Sequence, residues 1–149
     1  MTKKYTLKRD VYLSWEILGS DAFKELSSSA ICVLLRFLQK RTWHKKRGRG
    51  KPIFNNEGLS FTYAEAAYLG VRNTTFYEAI KQLIRVGLLD LQHQGGAFGR
   101  DFSRYAISER WRDYGTANFR RDEKKRSLQR GMDVRSNMSR KNKNSYGKP

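Results

Sequence analysis

Few side chains in this sequence have the chemistry of an enzyme active site. His44 and His93 are the only histidines, and neither has a metal-ligand spacing with the single cysteine, Cys32. The chain shows no paired carboxylates, no phosphate-binding glycine loop and no nucleophile elbow. Cys32 falls within an apolar helical pattern and is predicted to lie in the core. We therefore expect a protein that is not an enzyme and that has no cofactor and no metal site.

Polar side chains that could instead bind a partner follow Thr62, and helix signals surround them. Thr62 and Glu65 have the spacing of a capping box, in which each residue satisfies a backbone amide of the other, and this predicts the start of a helix. Gly70 predicts its end, because glycine adopts the left-handed conformation at little cost. A second helix is expected to begin at Arg72 or Asn73.

The second helix is predicted from one apolar face and is followed by two strand patterns. The residues of that face are Phe76, Ile80, Leu83 and Ile84. Gly87 marks the end of the helix. Residues 88–93 and 102–107 are strand candidates, and a glycine-rich connection over 95–101 joins them. The order is therefore helix, turn, helix, strand, loop, strand.

In this order the elements resemble the winged helix-turn-helix family of DNA-binding proteins, of bacterial, phage or plasmid type. The residues that carry the resemblance are Ala66, Leu69-Gly70-Val71, Thr75-Phe76, Leu83 and Gly87-Leu88-Leu89. The resemblance covers roughly residues 60–108. It implies an α+β fold, mainly α, with three or four helices and a wing sheet of two or three antiparallel strands. The helix-turn-helix would span 62–86 and the wing 88–107.

The resemblance also implies a set of DNA-binding residues. Arg72 would bind guanine and Asn73 adenine, and a good bidentate pair gives about 1–3 kcal/mol of discrimination. Thr62 and Tyr63 would meet phosphate at a helix N-terminus. The full set is Thr62, Tyr63, Arg72, Asn73, Thr74, Tyr77, Glu78, Lys81, Arg85, Arg100 and Arg104. Those on the second helix lie off its predicted apolar face, and Arg100 and Arg104 have the position of wing residues.

Two residues depart from the family pattern. The family usually places Ser or Thr as a helix cap where this chain has Arg72, and an Arg side chain cannot cap. One hypothesis is that Asn73 becomes the cap, which would remove it from base reading. Glu78 would carry a negative charge toward phosphates. It either accepts from cytosine or pairs with Lys81 or Arg85.

Charge supports a polyanionic partner. The formal net charge is +17, of which residues 1–114 contribute +9 and residues 115–149 contribute +8. We interpret 1–114 as the DNA-binding domain and 115–149 as a basic, mostly disordered tail. A basic loop between the predicted elements adds non-specific phosphate contacts. Its residues are Lys45, Lys46, Arg47, Arg49 and Lys51.

Double-stranded DNA is thus the expected partner, and a transcription regulator is the simplest role. A replication-initiation or DNA-processing accessory of a plasmid or phage is an alternative, because residues 22–27 look similar to N-terminal parts of such proteins. An RNA-binding or protein-interaction module is a further alternative. A homodimer and a protein partner stay open. No signal peptide or membrane segment is expected, and the lone cysteine fits the cytoplasm.

Overall fold

The computed structural model describes residues 11–44, 53–96 and 101–121. Within these ranges the chain is α+β, with five α-helices and a three-stranded antiparallel sheet. The helices are α1 (Trp15–Gly19), α2 (Asp21–Lys24), α3 (Ser28–Lys40), α4 (Tyr63–Tyr68) and α5 (Asn73–Arg85). The strands are β1 (Trp43–His44), β2 (Ile53–Phe54), β3 (Leu59–Ser60), β4 (Leu89–His93) and β5 (Arg104–Ile107). A 3-10 helix spans Arg110–Asp113.

Serine side chains begin the first three helices. Ser14, Ser20 and Ser27 each accept a hydrogen bond from the backbone amide three residues later, at 3.3, 3.2 and 3.2 Å. A hydroxyl oxygen in this position satisfies one of the amides that a helix start leaves without a partner. The sequence predicts a short helical turn that starts at Ser20 and a longer helix capped by Ser27 or Ser28. The structure confirms both helices and places their caps at Ser20 and Ser27. The short helix α1 was not predicted.

The buried face of α3 differs from the one that its sequence periodicity predicts. The predicted face consists of Ile31, Leu34, Leu35, Leu38 and Thr42, widened by Cys32 and Phe37. Ala30, Val33, Leu34, Phe37 and Leu38 are buried, while the side chains expected to lead the face at positions 31 and 35 are only partly covered. The prediction that the cysteine at position 32 lies in the core is wrong, because this residue is exposed. It lies about 100° around the helix from Val33 and about 200° from Ala30 and Leu34, on the side away from the buried face.

Four aromatic rings join the helices to the sheet. The ring of Phe37 on α3 meets Phe61 at 5.6 Å and Tyr105 at 5.3 Å, and Phe61 meets Phe76 on α5 at 5.0 Å. All three contacts are edge-to-face, a geometry worth about 0.5–1.5 kcal/mol beyond the buried area. The core therefore holds α5 against both α3 and the sheet.

The three-stranded sheet has the order β3-β5-β4, and every pair is antiparallel. Leu91 lies opposite Tyr105 and His93 lies opposite Arg104, so Gln92 is an extra residue in β4. Such a bulge bends the strand and increases its twist. The side chain of Gln92 accepts a hydrogen bond from the Gly58 amide at 2.7 Å, which ties the bulge to the turn before β3.

A second, two-stranded sheet pairs β1 with β2 and was not predicted. Its strands have two residues each, too few for an alternating pattern to be read. Arg41 supports this sheet, since its guanidinium lies 4.4 Å from the Phe54 ring and donates to the Tyr12 carbonyl at 2.8 Å. The basic loop at 45–52 joins these strands and lies outside the described residues.

Positive charge is concentrated outside the described ranges. Those ranges hold 12 Lys and Arg against 10 Asp and Glu, a net charge of +2. The remaining +15 belongs to residues 1–10, 45–52, 97–100 and 122–149. Within the described ranges, no helix has the length and apolar character needed to cross a membrane. The described ranges are thus nearly neutral, and the excess charge belongs to residues before, between and after them.

Candidate nucleic-acid interface

The predicted capping box is present at the start of α4. Thr62 Oγ1 accepts from the Glu65 amide at 3.2 Å, and Glu65 Oε2 accepts from the Thr62 amide at 2.8 Å. The ammonium of Lys40 on α3 forms an ion pair with the other carboxylate oxygen of Glu65. Partial burial raises the pKa of Glu65, but the hydrogen bonds from Lys40 and Thr62 outweigh it, so the pKa lies below its ordinary value. This carboxylate therefore fixes α4 to α3.

A tight turn joins α4 to α5. Gly70 has φ +77°, and its amide donates to the Ala67 carbonyl at 2.9 Å. The Val71 amide donates to the Ala66 carbonyl at 2.9 Å. These two bonds are the Schellman arrangement that ends a helix with a left-handed residue. The predicted role of Gly70 is confirmed, and the turn places the start of α5 directly after α4.

The N-terminus of α5 has no side-chain cap among the described residues. Arg72 occupies the cap position with extended backbone, and Asn73 is the first helical residue. A side chain caps a helix from the non-helical position before it, so the hypothesis that Asn73 is the cap is wrong. The Asn73 amide group is therefore available for other contacts. The first amides of α5 are also available, at the positive end of the helix dipole.

The helix α5 separates an apolar face from a polar one. Phe76, Ala79, Ile80, Leu83 and Ile84 are buried, and they include the four residues that were predicted. The side chains that the sequence assigns to DNA lie on the other face, where all are exposed except for a half-buried tyrosine at position 77. They are Arg72, Asn73, Thr74, Tyr77, Glu78, Lys81 and Arg85. Six of these seven side chains are thus exposed along α5 and at its N-cap, Arg72.

Ion pairs neutralise part of this face. Glu78 accepts from Lys81 Nζ at 3.5 Å, and Arg85 Nη2 lies 3.5 Å from Glu25 Oε2. Both pairs are at least two-fifths exposed, and exposed pairs contribute about 0–1 kcal/mol. Among the described residues, Arg72 and Arg104 form no ion pair. Ion pairs this weak can open at little cost in free energy, which would leave Lys81 and Arg85 able to bind an anion.

Tyr63 has a packing role in the structure. Its ring meets the Phe76 ring edge-to-face at 5.1 Å and is half-buried at the edge of the core. Thr62 is used in the capping box, where its oxygen is the acceptor. The hydroxyl hydrogen of Thr62 keeps the capacity to donate to an anion.

The hairpin of β4 and β5 presents Arg104 to solvent. Near its tip, His93 Nε2 lies 2.7 Å from Asp101 Oδ1, and the Gly96 amide donates to Asp101 Oδ2 at 2.9 Å. These two hydrogen bonds, from His93 first, lower the pKa of Asp101. Arg100 and the five predicted loop residues lie outside the described ranges. The loop residues are Lys45, Lys46, Arg47, Arg49 and Lys51.

Arg110 joins four parts of the chain and was not recognised from the sequence. Its guanidinium donates to Asp90 Oδ1 at 2.7 Å and to the carbonyls of Ile84 and Leu89 at 3.2 and 3.1 Å. It also donates to the Arg120 carbonyl at 2.7 Å. These hydrogen bonds join residues that are distant in sequence, so no local sequence pattern predicts them.

Comparisons with family models, with curated proteins and with solved structures found no match for this chain. Within the described ranges, no group of three or more His, Cys, Asp or Glu could hold a metal ion.

Proposed function

We propose that this protein is a sequence-specific DNA-binding protein, most simply a transcription regulator. It would use α4 and α5 as a helix-turn-helix and the sheet of β3, β5 and β4 as the wing. The observation that carries the proposal is the polar face of α5, where exposed side chains able to bind bases and phosphates stand opposite a fully buried apolar face.

The dimensions of α5 fit a DNA groove. Its 13 residues span about 20 Å, and the major groove is about 12 Å wide and admits one α-helix. In helix-turn-helix complexes the N-terminal residues of the second helix contact the base edges. Arg72 and Asn73 occupy that end of α5 and are exposed.

Separate roles follow for the residues of this face. Arg72 is suited to the two acceptors of guanine, and Asn73 is suited to the donor and acceptor of adenine. Lys81 and Arg85 lie further along the helix and are suited to phosphates. Glu78 pairs with Lys81 in the structure, so this pair must open or Glu78 must accept from a cytosine.

A wing residue, Arg104, would help to fix the orientation of α5 on the duplex. Arg104 on β5 is an exposed cation without an ion pair in the described part of the chain, and it is suited to the phosphate backbone or the minor groove. The basic segments outside the described ranges carry a charge of +15, which strengthens binding to any nucleic acid without selecting a sequence.

Gel shifts with the full chain test the proposal. Random duplex DNA, single-stranded DNA and RNA of equal length are compared at two salt concentrations. Preference for the duplex supports the proposal. Equal or stronger binding of RNA or single strands overturns it, and so does failure to bind any of the three. A site selected from random duplexes then defines the sequence that α5 reads.

Two variants of the full chain test whether α5 reads bases. Arg72→Ala should weaken the selected site more than random duplex, because Arg72 is the residue assigned to guanine. Arg36→Ala is the matched control, because Arg36 is exposed on α3, outside the polar face of α5. Equal losses on both duplexes would contradict base reading and would limit α5 to backbone contacts. For the regulatory role, selected sites should map to promoters. Repeats of the site beside an origin would overturn that role in favour of replication.

A further inference from the structure

The chain crosses the C-terminal end of α5 after the 3-10 helix. The Tyr114 hydroxyl donates to Glu25 Oε2 at 2.6 Å, and its ring meets Phe119 edge-to-face at 5.2 Å. Arg110 holds the Arg120 carbonyl at 2.7 Å, and its guanidinium lies 5.8 Å from the Phe119 ring. Residues 114–121, here called the crossing segment, are thus fixed to the packed part of the chain.

The crossing segment and α5 line one open groove. The groove has a volume of about 1320 Å³. From α5 it is lined by Tyr77, Glu78, Lys81 and Arg85, which belong to the polar face, and Glu25 also lines it. The crossing segment supplies Phe119 and Arg121. The groove therefore begins at the residues that the proposed function assigns to DNA and ends at the crossing segment.

Arg121 lines this groove, and Arg120 lines a neighbouring cleft together with Glu109 and Asp113. Both arginines are exposed, and neither forms an ion pair with another described residue. The Arg120 carbonyl accepts a hydrogen bond from Arg110, which restrains the backbone at this point. Lys81 and Arg85 add two cations whose exposed ion pairs are weak.

We propose that Arg120 and Arg121 bind phosphates of the duplex that α5 reads, next to the DNA major groove that would hold α5. The inference rests on the proposed function and adds to it a second contact surface with one partner, the phosphate backbone of double-stranded DNA. Guanidinium groups suit this partner, because their planar donors match phosphate oxygens in pairs. Residues 122–149 continue from this point and carry nine Lys and Arg against three Asp and Glu.

The first experiment measures the salt dependence of binding to a random-sequence duplex. The full chain is compared with Arg120→Gln/Arg121→Gln, and Arg36→Gln is the control for loss of an exposed cation. Each phosphate contact contributes about 0.9 to the slope of log affinity against log salt. We expect the double variant to lose about one to two such increments and the control to keep the wild-type slope. A wild-type slope in the double variant overturns the inference.

The second experiment locates the crossing segment on DNA. Cys32 is replaced by Ser, and Ala117→Cys in the exposed part of the segment carries an iron chelate that cleaves nearby DNA. Cleavage in the flank of the selected site supports the inference, and absence of cleavage on bound DNA overturns it. If the wild type shows no preference for duplex, the proposed function itself fails and this inference with it. If the preference and the effect of Arg72→Ala are present while the slope is unchanged, only this inference fails.

Discussion

Two hydrogen bonds join Ser27 to Gln82. The amide and the hydroxyl of Ser27 both donate to Gln82 Oε1, at 3.1 and 2.9 Å, while Gln82 Nε2 donates to the Glu25 carbonyl at 3.0 Å. One side chain on α5 thus holds the turn between α2 and α3. Because Ser27 is also the cap of α3, Gln82 links α5 to the start of α3.

Replacing Gln82 by Ala should therefore destabilise the full chain by about 1–2 kcal/mol, since three hydrogen bonds are lost at a partly exposed site. Urea denaturation measures the change. Gln39→Ala is the matched control, because this glutamine accepts one exposed hydrogen bond from Arg36 on the same helix. The control should change the free energy of unfolding by less than about 0.5 kcal/mol. Equal effects of the two substitutions would contradict the role of Gln82 as a link.

Gly87 should be the least replaceable glycine of the described ranges among those with positive φ. Its φ is +82°, and an added Cβ would lie 2.9 Å from both the Arg110 Cβ and the Trp111 amide nitrogen. Gly87→Ala should lower the free energy of unfolding by more than the roughly 1–2 kcal/mol of the left-handed conformation alone. Gly70→Ala provides the comparison, because Gly70 has φ +77° with nothing within 4 Å of an added Cβ. Equal losses in denaturation would exclude the steric contribution.

Acid should weaken the link between α3 and α4. The pKa of Glu65 is lowered in the folded chain, so its contribution is present above the ordinary value of 4.5 and is lost as pH falls through the folded value. Glu65→Gln keeps a capping side chain but removes this charge. Its unfolding free energy should fall less than that of the wild type between about pH 5 and about pH 3. Glu57→Gln, at a carboxylate without an ion pair among the described residues, should follow the wild type. A Glu65→Gln curve parallel to the wild type would contradict the link.

Asn73 should affect binding and leave stability unchanged. It is the first residue of α5 and does not cap the helix, so Asn73→Ala should change the free energy of unfolding by less than about 0.5 kcal/mol. If it reads adenine, the variant should lose about 1–3 kcal/mol on the selected site and much less on random duplex. Titrations on both duplexes, with denaturation of the same samples, separate the two effects. A stability loss without a binding loss would return Asn73 to a structural role.

Local signals predicted the elements of the candidate site. The capping box of Thr62 and Glu65 and the helix ends at Gly70 and Gly87 depend on neighbours within a few residues, so these features could be inferred from spacing alone. The buried face of α5 was predicted for the same reason, because a helix of 13 residues repeats its pattern several times.

Interactions between distant residues could not be predicted. The sequence near Cys32 is apolar on several sides, and only the packing of α3 against α5 decides that Val33 and Phe37 are buried while Cys32 is exposed. In the sequence Arg110 is indistinguishable from a surface cation, and only the structure shows its hydrogen bonds to Asp90, Ile84 and Arg120. The sequence shows that the Arg72 side chain cannot cap α5. Whether Asn73 caps the helix instead depends on the residue at which α5 begins, and that residue could not be predicted.

The uneven distribution of charge has a practical consequence for handling the protein. Because the described ranges have a net charge of only +2, salt screening changes their internal repulsion little, whereas the +15 carried elsewhere makes attraction to polyanions sensitive to ionic strength. Concentrated salt during purification should therefore weaken any such attraction while the domain stays folded.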